Sequence, residues 1–258
     1  MSHATLQPNL FKRGLIEGKR QPGLWLTLES LNATEILAGA GYSWLLLDME
    51  HTPVDPSQVS QHLRAAKGGT AEVVVRIPWN EPIMMKRLLD AGVRSFMVPF
   101  VQNAEEARAA VAATRYPPHG IRGVSGNMRG NNYARIKDYN ERYHEEQCII
   151  AQIETPAAAV AIPEIGAVEG VDGIFVGPND LAANMGLFGK PGAPEVRAEI
   201  DRALDAIKKT GRAPGILNFN VGEARELFDA GYSYIAVGSD TAILARRSEA
   251  LLGEINAA

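Results

Sequence analysis

The chain has 258 residues, 46% hydrophobic and 22% charged, enough to bury one large core, and one domain over residues 1–258 is expected. A formal net charge of −4 gives no reason to expect nucleic acid or an anionic membrane as partner, so the substrate is sought in a pocket. No stretch approaches the ~18–20 apolar residues of a membrane span, MSHATLQPNLFKRG lacks the apolar run of a secretion signal, and a lone Cys148 forms no intrachain disulfide; a cytoplasmic protein is expected.

Apolar runs recur at 24–28 (LWLTL), 44–49 (WLLLDM), 72–77 (EVVVRI), 95–100 (SFMVPF), 148–154 (CIIAQIE), 173–178 (GIFVGP), 213–218 (APGILN) and 234–239 (YIAVGS). Between them lie segments such as EPIMMKRLLDAG and VGEARELFDAG, with apolar residues at helical spacing and glycine at the C-terminal end. Strands apolar on both faces and separated by helices imply a parallel sheet covered by helices. Eight such units, without the G-x-G-x-x-G turn of a doubly wound sheet, predict an α/β TIM (β/α)8 barrel, with Cys148 in its core. Two polar, glycine-spotted excursions, 117–147 and 184–194, are long for connections, which points to functional loops rather than tolerated insertions.

In such a barrel, polar residues at the C-terminal ends of strands face the active site. The second strand ends in Asp48, Glu50 and His51, the third in Arg76, the fifth in Gln152 and Glu154, and the sixth runs through Gly177-Pro178 into Asn179 and Asp180. Each has a plain reading: Glu154 and Asp180 as helix-start carboxylates, Arg76 as a partner of Glu50 or Glu72, and His51 as a structural histidine. Their convergence on one rim favours a site. Two carboxylates without a Cys or His cluster offer hard oxygen ligands suited to Mg²⁺ or Mn²⁺, and no H-E-x-x-H supports zinc. The turn into residues 178–180 adds free amides for a small carboxylate, and Arg76 is placed to stabilise an enolate. None of the eight lysines lies in a strand run, so a Schiff-base aldolase lacks its nucleophile, and no G-x-S-x-G elbow supports a serine hydrolase.

Through WLLLDMEHTP, VVVRIPWNEP, KRLLDAG, ATRYPPHGIRGVS, QIETPAA and EGVDGIFVGPNDLAANMG, the chain resembles the HpcH/HpaI family of class II pyruvate aldolases over essentially its whole length. The resemblance implies a TIM barrel assembled as a homohexamer that exchanges its C-terminal helix, here roughly 241–257. It implies Glu154 and Asp180 as ligands of a divalent cation (Mg²⁺ or Mn²⁺, with Co²⁺ as a substitute) and Arg76 on the pyruvate oxygen. His51 and Asp48 become an acid–base dyad in which Asp48 orients the ring, and Glu50 a partner of Arg76. The amides around Gly177, Pro178, Asn179 and Asp180 hold the pyruvate carboxylate, Gln152, Leu217 and Trp25 line the pocket, and Asp90 matches a position that touches the site from an adjoining subunit. The partners implied are a 2-oxo acid, pyruvate or hydroxypyruvate, and an aldehyde. GNMRGNNYARIKDY after GIRGVS is closer to the 2-dehydro-3-deoxyglucarate aldolase branch, so the expected substrate is a 2-dehydro-3-deoxy sugar acid, with Arg122 or Arg129 suited to an acidic aldehyde. The alternatives are a 4-hydroxy-2-oxoheptanedioate aldolase and a CoA-thioester lyase of the citrate-lyase-beta type.

Overall fold

A computed structural model describes residues 4–256, so Met1–His3 of the N-terminal stretch and Ala257, the last residue of the expected exchanged helix, lie outside it. Eight strands, β1 (Gln21–Leu26), β2 (Trp44–Asp48), β3 (Glu72–Arg76), β4 (Ser95–Val98), β5 (Cys148–Ile153), β6 (Gly173–Val176), β7 (Ala213–Leu217) and β8 (Tyr234–Ser239), pair in parallel and in order, with β8 closing on β1. The expected TIM barrel is therefore present. All eight apolar runs became strands, although β1 starts three residues before LWLTL and stops short of Thr27.

Helices α1 (Leu10–Ile16), α2 (Leu31–Ala38), α3 (Pro56–Ala65), α4 (Pro82–Ala91) and α5 (Ala104–Thr114) precede β5, together with the short α6 (Tyr139–Arg142). After β5 come α7 (Pro156–Val160), α8 (Ile162–Gly166), α9 (Pro178–Asn184), α10 (Pro194–Thr210), α11 (Val221–Ala230) and α12 (Asp240–Asn256). Helices that follow a strand start at residues suited to a helix N-terminus. Asp55 caps α3 in a reciprocal capping box with Gln58, and Pro56 and Pro82 occupy first helical turns, where the missing N–H costs nothing.

The period of two along each strand sorts the core into two shells. Leu45, Leu47, Val73, Val75, Ile149 and Ile153 point outward and pack against the helices. Trp44, Leu46, Val74, Cys148, Ile150 and Phe175 point inward and fill the barrel. The bottom is closed by α1: Phe11 is buried with its ring centroid 5.5 Å from those of both Trp44 and Tyr234. Buried Asn9 anchors the plug, its side chain bonding Ser95 Oγ at 2.8 Å and the Glu146 carbonyl at 3.0 Å. A barrel filled from below leaves one open end, the C-terminal mouth.

Candidate active site

The alternation that places Trp44 and Leu46 inside also places Asp48 inside, at the last residue of β2. By the same count Arg76 follows Val74 on β3 and Gln152 follows Ile150 on β5, with Glu154 one residue past the end of that strand. Asp48, Arg76 and Gln152 are the uppermost inward positions of their strands, and with Glu154 all four are buried. Asp48 and Arg76 are register partners across β2 and β3. The Arg76 Nε donates to Asp48 Oδ1 at 3.0 Å and Nη2 to Oδ2 at 2.6 Å, the two-pronged geometry that guanidinium and carboxylate favour. Trp25 Nε1 donates to Asp48 Oδ2 at 3.2 Å, and its ring lies 5.1 Å beneath the Arg76 guanidinium. Burial pushes the Asp48 carboxyl up, but the Arg76 hydrogen bonds and charge, with the Glu50 amide and Trp25, hold it below the usual carboxylate range.

Glu50 meets the third guanidinium nitrogen, Nη1, at 2.9 Å, as expected, whereas Glu72 is committed to Arg94 at the opposite end of the strand. Glu50 Oε2 has the distance but not the angle of a hydrogen bond, so it is an ion-pair oxygen still short of a donor. Burial raises the Glu50 pKa despite Arg76, and nearby Asp48 and Asp180 add to the rise.

The expected contact between Asp48 and the His51 ring is not formed. Both Asp48 oxygens are taken by Arg76, and Oδ1 also receives the backbone N–H groups of Glu50 at 3.0 Å and His51 at 3.4 Å. Asp48 therefore shapes the turn that carries His51 rather than orienting its imidazole. The ring stands at the rim, its side chain 65% exposed, with Nε2 4.0 Å from Glu50 Oε2.

Across the mouth, Glu154 is released from capping duty because Thr155 caps α7, its Oγ1 accepting from Ala158 N at 3.0 Å. Glu154 Oε1 instead accepts from Gln152 Nε2 and Oε2 from the Phe100 amide, both at 2.9 Å. Burial pushes the Glu154 carboxyl up to about 8; the Phe100 amide opposes this, and the charges of Glu50 and Asp180 reinforce it. Asp180 sits in the first turn of α9, where Gly177 provides no side-chain cap and Pro178 no N–H, leaving the Asn179 and Asp180 amides as the free donors. Gly177 is required by space: a Cβ there would lie 2.9 Å from both Cγ and Oε1 of Glu154. Leu217 closes this side at the end of β7, packed against the inner core.

A divalent cation fits these residues. Buried Glu154 has the half-buried carboxylates Glu50 and Asp180 as charged neighbours, the guanidinium of Arg76 is already engaged by Asp48, and Gln152 Oε1 is a buried acceptor without a partner. No cluster of three or more metal-ligating side chains occurs among the described residues, so two carboxylates leave positions for substrate oxygens. Two contributors carried no signal in residue type. Phe100 acts through a backbone amide presented at φ 53°, and Asn184 ties the Glu154 carbonyl (3.1 Å) to that of Asp180 (2.9 Å).

The arginines expected to meet an acidic aldehyde lie elsewhere. Segment 117–147 leaves the C-terminal end of α5 and enters the first residue of β5, so it crosses the N-terminal face, away from the mouth of its own barrel. Arg122 is buried there, 4.5 Å from the Tyr116 centroid and 5.1 Å from that of Tyr143, and paired with Asp90 at 3.1 Å. Arg129 donates to the Ala91 carbonyl at 2.8 Å. The 184–194 excursion does lie on the mouth side, since α10 descends from it toward the start of β7.

A closed parallel barrel with a buried arginine and opposed carboxylates at its C-terminal mouth has the layout of a carbon–carbon lyase that works through an enolate. The family model for HpcH/HpaI aldolase/citrate lyase matches residues 21–246, and the chain belongs to this family. It is accordingly an enzyme of the aldehyde-lyase type. The 4-hydroxy-2-oxo-heptane-1,7-dioate aldolase of Shigella sonnei is 48% identical over 250 residues, covering 96% of this chain and 95% of that protein. The crystal structure of an HpcH/HpaI aldolase/citrate lyase family protein from Burkholderia cenocepacia superposes with a TM-score of 0.94 at 39% identity, covering 96% of this chain and 99% of that one. The HpcH/HpaI aldolase of Desulfitobacterium hafniense gives 0.89 at 29% identity, covering 95% and 96%.

Proposed function

We propose that the protein is a metal-dependent class II aldolase that reversibly cleaves a 4-hydroxy-2-oxo acid to pyruvate, or hydroxypyruvate, and an aldehyde. The observation that carries this reading is the buried Glu154 carboxylate facing Asp180 and Glu50 across from Arg76, a set short of positive charge. Glu154 and Asp180 hold the divalent cation, which supplies Lewis-acid polarisation of the 2-oxo group. The Asn179 and Asp180 amides receive the substrate carboxylate. Asp48 and Glu50 fix the Arg76 guanidinium, which stabilises the oxygen that becomes negative as the C3–C4 bond breaks. His51, at the wet rim, takes the proton of the C4 hydroxyl as the aldehyde forms and returns a proton to C3 of the enolate.

Of the two acceptor classes, the comparisons favour 4-hydroxy-2-oxoheptanedioate over the sugar acid expected from the loop sequence. Relatives 47–48% identical over 250 residues carry that name, and the loop that suggested the sugar acid does not reach this chain's own mouth. Pyruvate release from 4-hydroxy-2-oxoheptanedioate and from 2-dehydro-3-deoxyglucarate, compared as kcat/KM, tests the choice. The heptanedioate is expected to be cleaved more efficiently; a higher kcat/KM for the sugar acid would reverse the assignment.

A further inference from the structure

On the N-terminal face, opposite the candidate active site, an open cavity of about 720 Å³ lies between the end of α3, the residues leading into β3 and β4, and segment 129–143. Its charge is one-sided. Arg64, Lys67, Arg94 and Arg129 line it, against a single carboxylate, Glu72. That carboxylate is spent on Arg94, whose Nη2 lies 2.8 Å from both of its oxygens. Among the described residues, no carboxylate lies within ion-pair distance of Arg64, Lys67 or Arg129.

Arg129 is held in this position rather than left to water. Its Nη1 donates to the Ala91 carbonyl at 2.8 Å and rests against the Cα of Gly92, where a Cβ would come within 2.6 Å of it. Gly92 ends α4 at φ 99°, so the chain gains both its turn and the room for the guanidinium from one residue. Burial draws the Arg129 pKa below its usual range, and the charge of Arg64 adds to that, so the two guanidiniums face each other unfavourably in the bare protein. An anion bound here would relieve that repulsion and pair with a half-buried guanidinium that has no carboxylate partner among the described residues. Tyr133, Leu6 and Leu63 add an aromatic and aliphatic wall.

We propose that this cavity is a second binding site, for a small dianion of the phosphate-ester or dicarboxylate kind bearing an apolar body. Arg129 and Arg64 meet the anion with the guanidinium nitrogens not bonded to Ala91 and Ser60, Lys67 adds charge, and Tyr133 covers the apolar part. The volume suits a metabolite-sized ligand. The site shares no residue with this chain's own barrel mouth.

The test is calorimetric titration of the full-length protein with phenyl phosphate and with phthalate, in saturating pyruvate and Mg²⁺ so that the mouth is occupied. At least one probe is expected to bind saturably, one per chain, and the preferred probe identifies phosphate ester or dicarboxylate. Arg129→Met and Arg64→Met should each weaken that binding by roughly tenfold or more, as when a charge-assisted hydrogen bond is lost, and Arg64→Met should leave pyruvate release unchanged. Arg64 is exposed, so its variant keeps the test decisive if Arg129→Met fails to fold. Absence of saturable binding by both probes, wild-type affinity in the arginine variants, or competition by pyruvate would overturn the proposal.

Discussion

At the scale of single residues, the decisive pairing is between Asp48 and Arg76. The sequence shows an inward arginine that gains nothing from an apolar strand, and the alternation 44, 46, 48 shows Asp48 on the same inner face. It does not show that register sets the two side by side, because that depends on how β2 and β3 are staggered. The consequence is a reversed order of severity. With Asp48 merely behind His51 its loss would be mild; with Asp48 holding Arg76 by two hydrogen bonds, its loss frees the group that meets the enolate. Asp48→Asn is expected to lower kcat for pyruvate release by roughly 10²–10³-fold, comparable to Arg76→Met, and to cost about 1–3 kcal/mol of stability through the weakened buried hydrogen bonds, since Glu50 still pairs with the guanidinium. His51→Ala, at an exposed rim position, should change stability by less than about 0.5 kcal/mol yet slow deuterium exchange at pyruvate C3 along with cleavage. Near-wild-type kcat in Asp48→Asn would remove the ion pair from the mechanism, and normal exchange in His51→Ala would refute its role as base.

At the scale of elements, the junction of β6 and α9 shows how a turn makes a site. Gly177 has an ordinary φ of −95°, so it is not there for backbone freedom; it is there because Glu154 occupies the space a side chain would take. Gly177→Ala is expected to leave the circular dichroism spectrum intact and weaken Mn²⁺ binding at least tenfold, through displacement of Glu154; unchanged Mn²⁺ affinity would show that the carboxylate does not hold the ion. The composition of this junction was readable in GPND; the freedom of Glu154 was not, because a carboxylate ahead of Thr155-Pro156 reads equally well as a helix-start residue, and only the structure gives the cap to Thr155. The Phe100 amide was not readable, because backbone donors carry no residue signature. The misplacement of Arg122 and Arg129 has a topological cause. A connection that runs from a helix into a strand belongs to the N-terminal face, and loop length and polarity alone do not reveal the face.

At the scale of the molecule, the barrel was legible because parallel strands buried on both faces leave long apolar runs, and these runs became β1 to β8. What one chain leaves incomplete is α12. From Thr241 onward the helix is almost wholly exposed, with Leu244 and Leu252 each at 60% and Ile255 at 73%, an apolar face that its own barrel does not cover. We propose that neighbouring copies cover it by exchanging α12 within a homohexamer. Deleting residues 241–258 should then reduce the molar mass measured by light scattering to that of a smaller assembly, and an unchanged hexamer would contradict the exchange. If Glu154 and Asp180 hold a divalent cation for enolate chemistry, pyruvate release after exhaustive chelation reads it most directly. Activity is expected to vanish and to return with added Mg²⁺ or Mn²⁺ in the wild-type protein but not in Asp180→Asn, whereas undiminished turnover by the metal-free enzyme would contradict it.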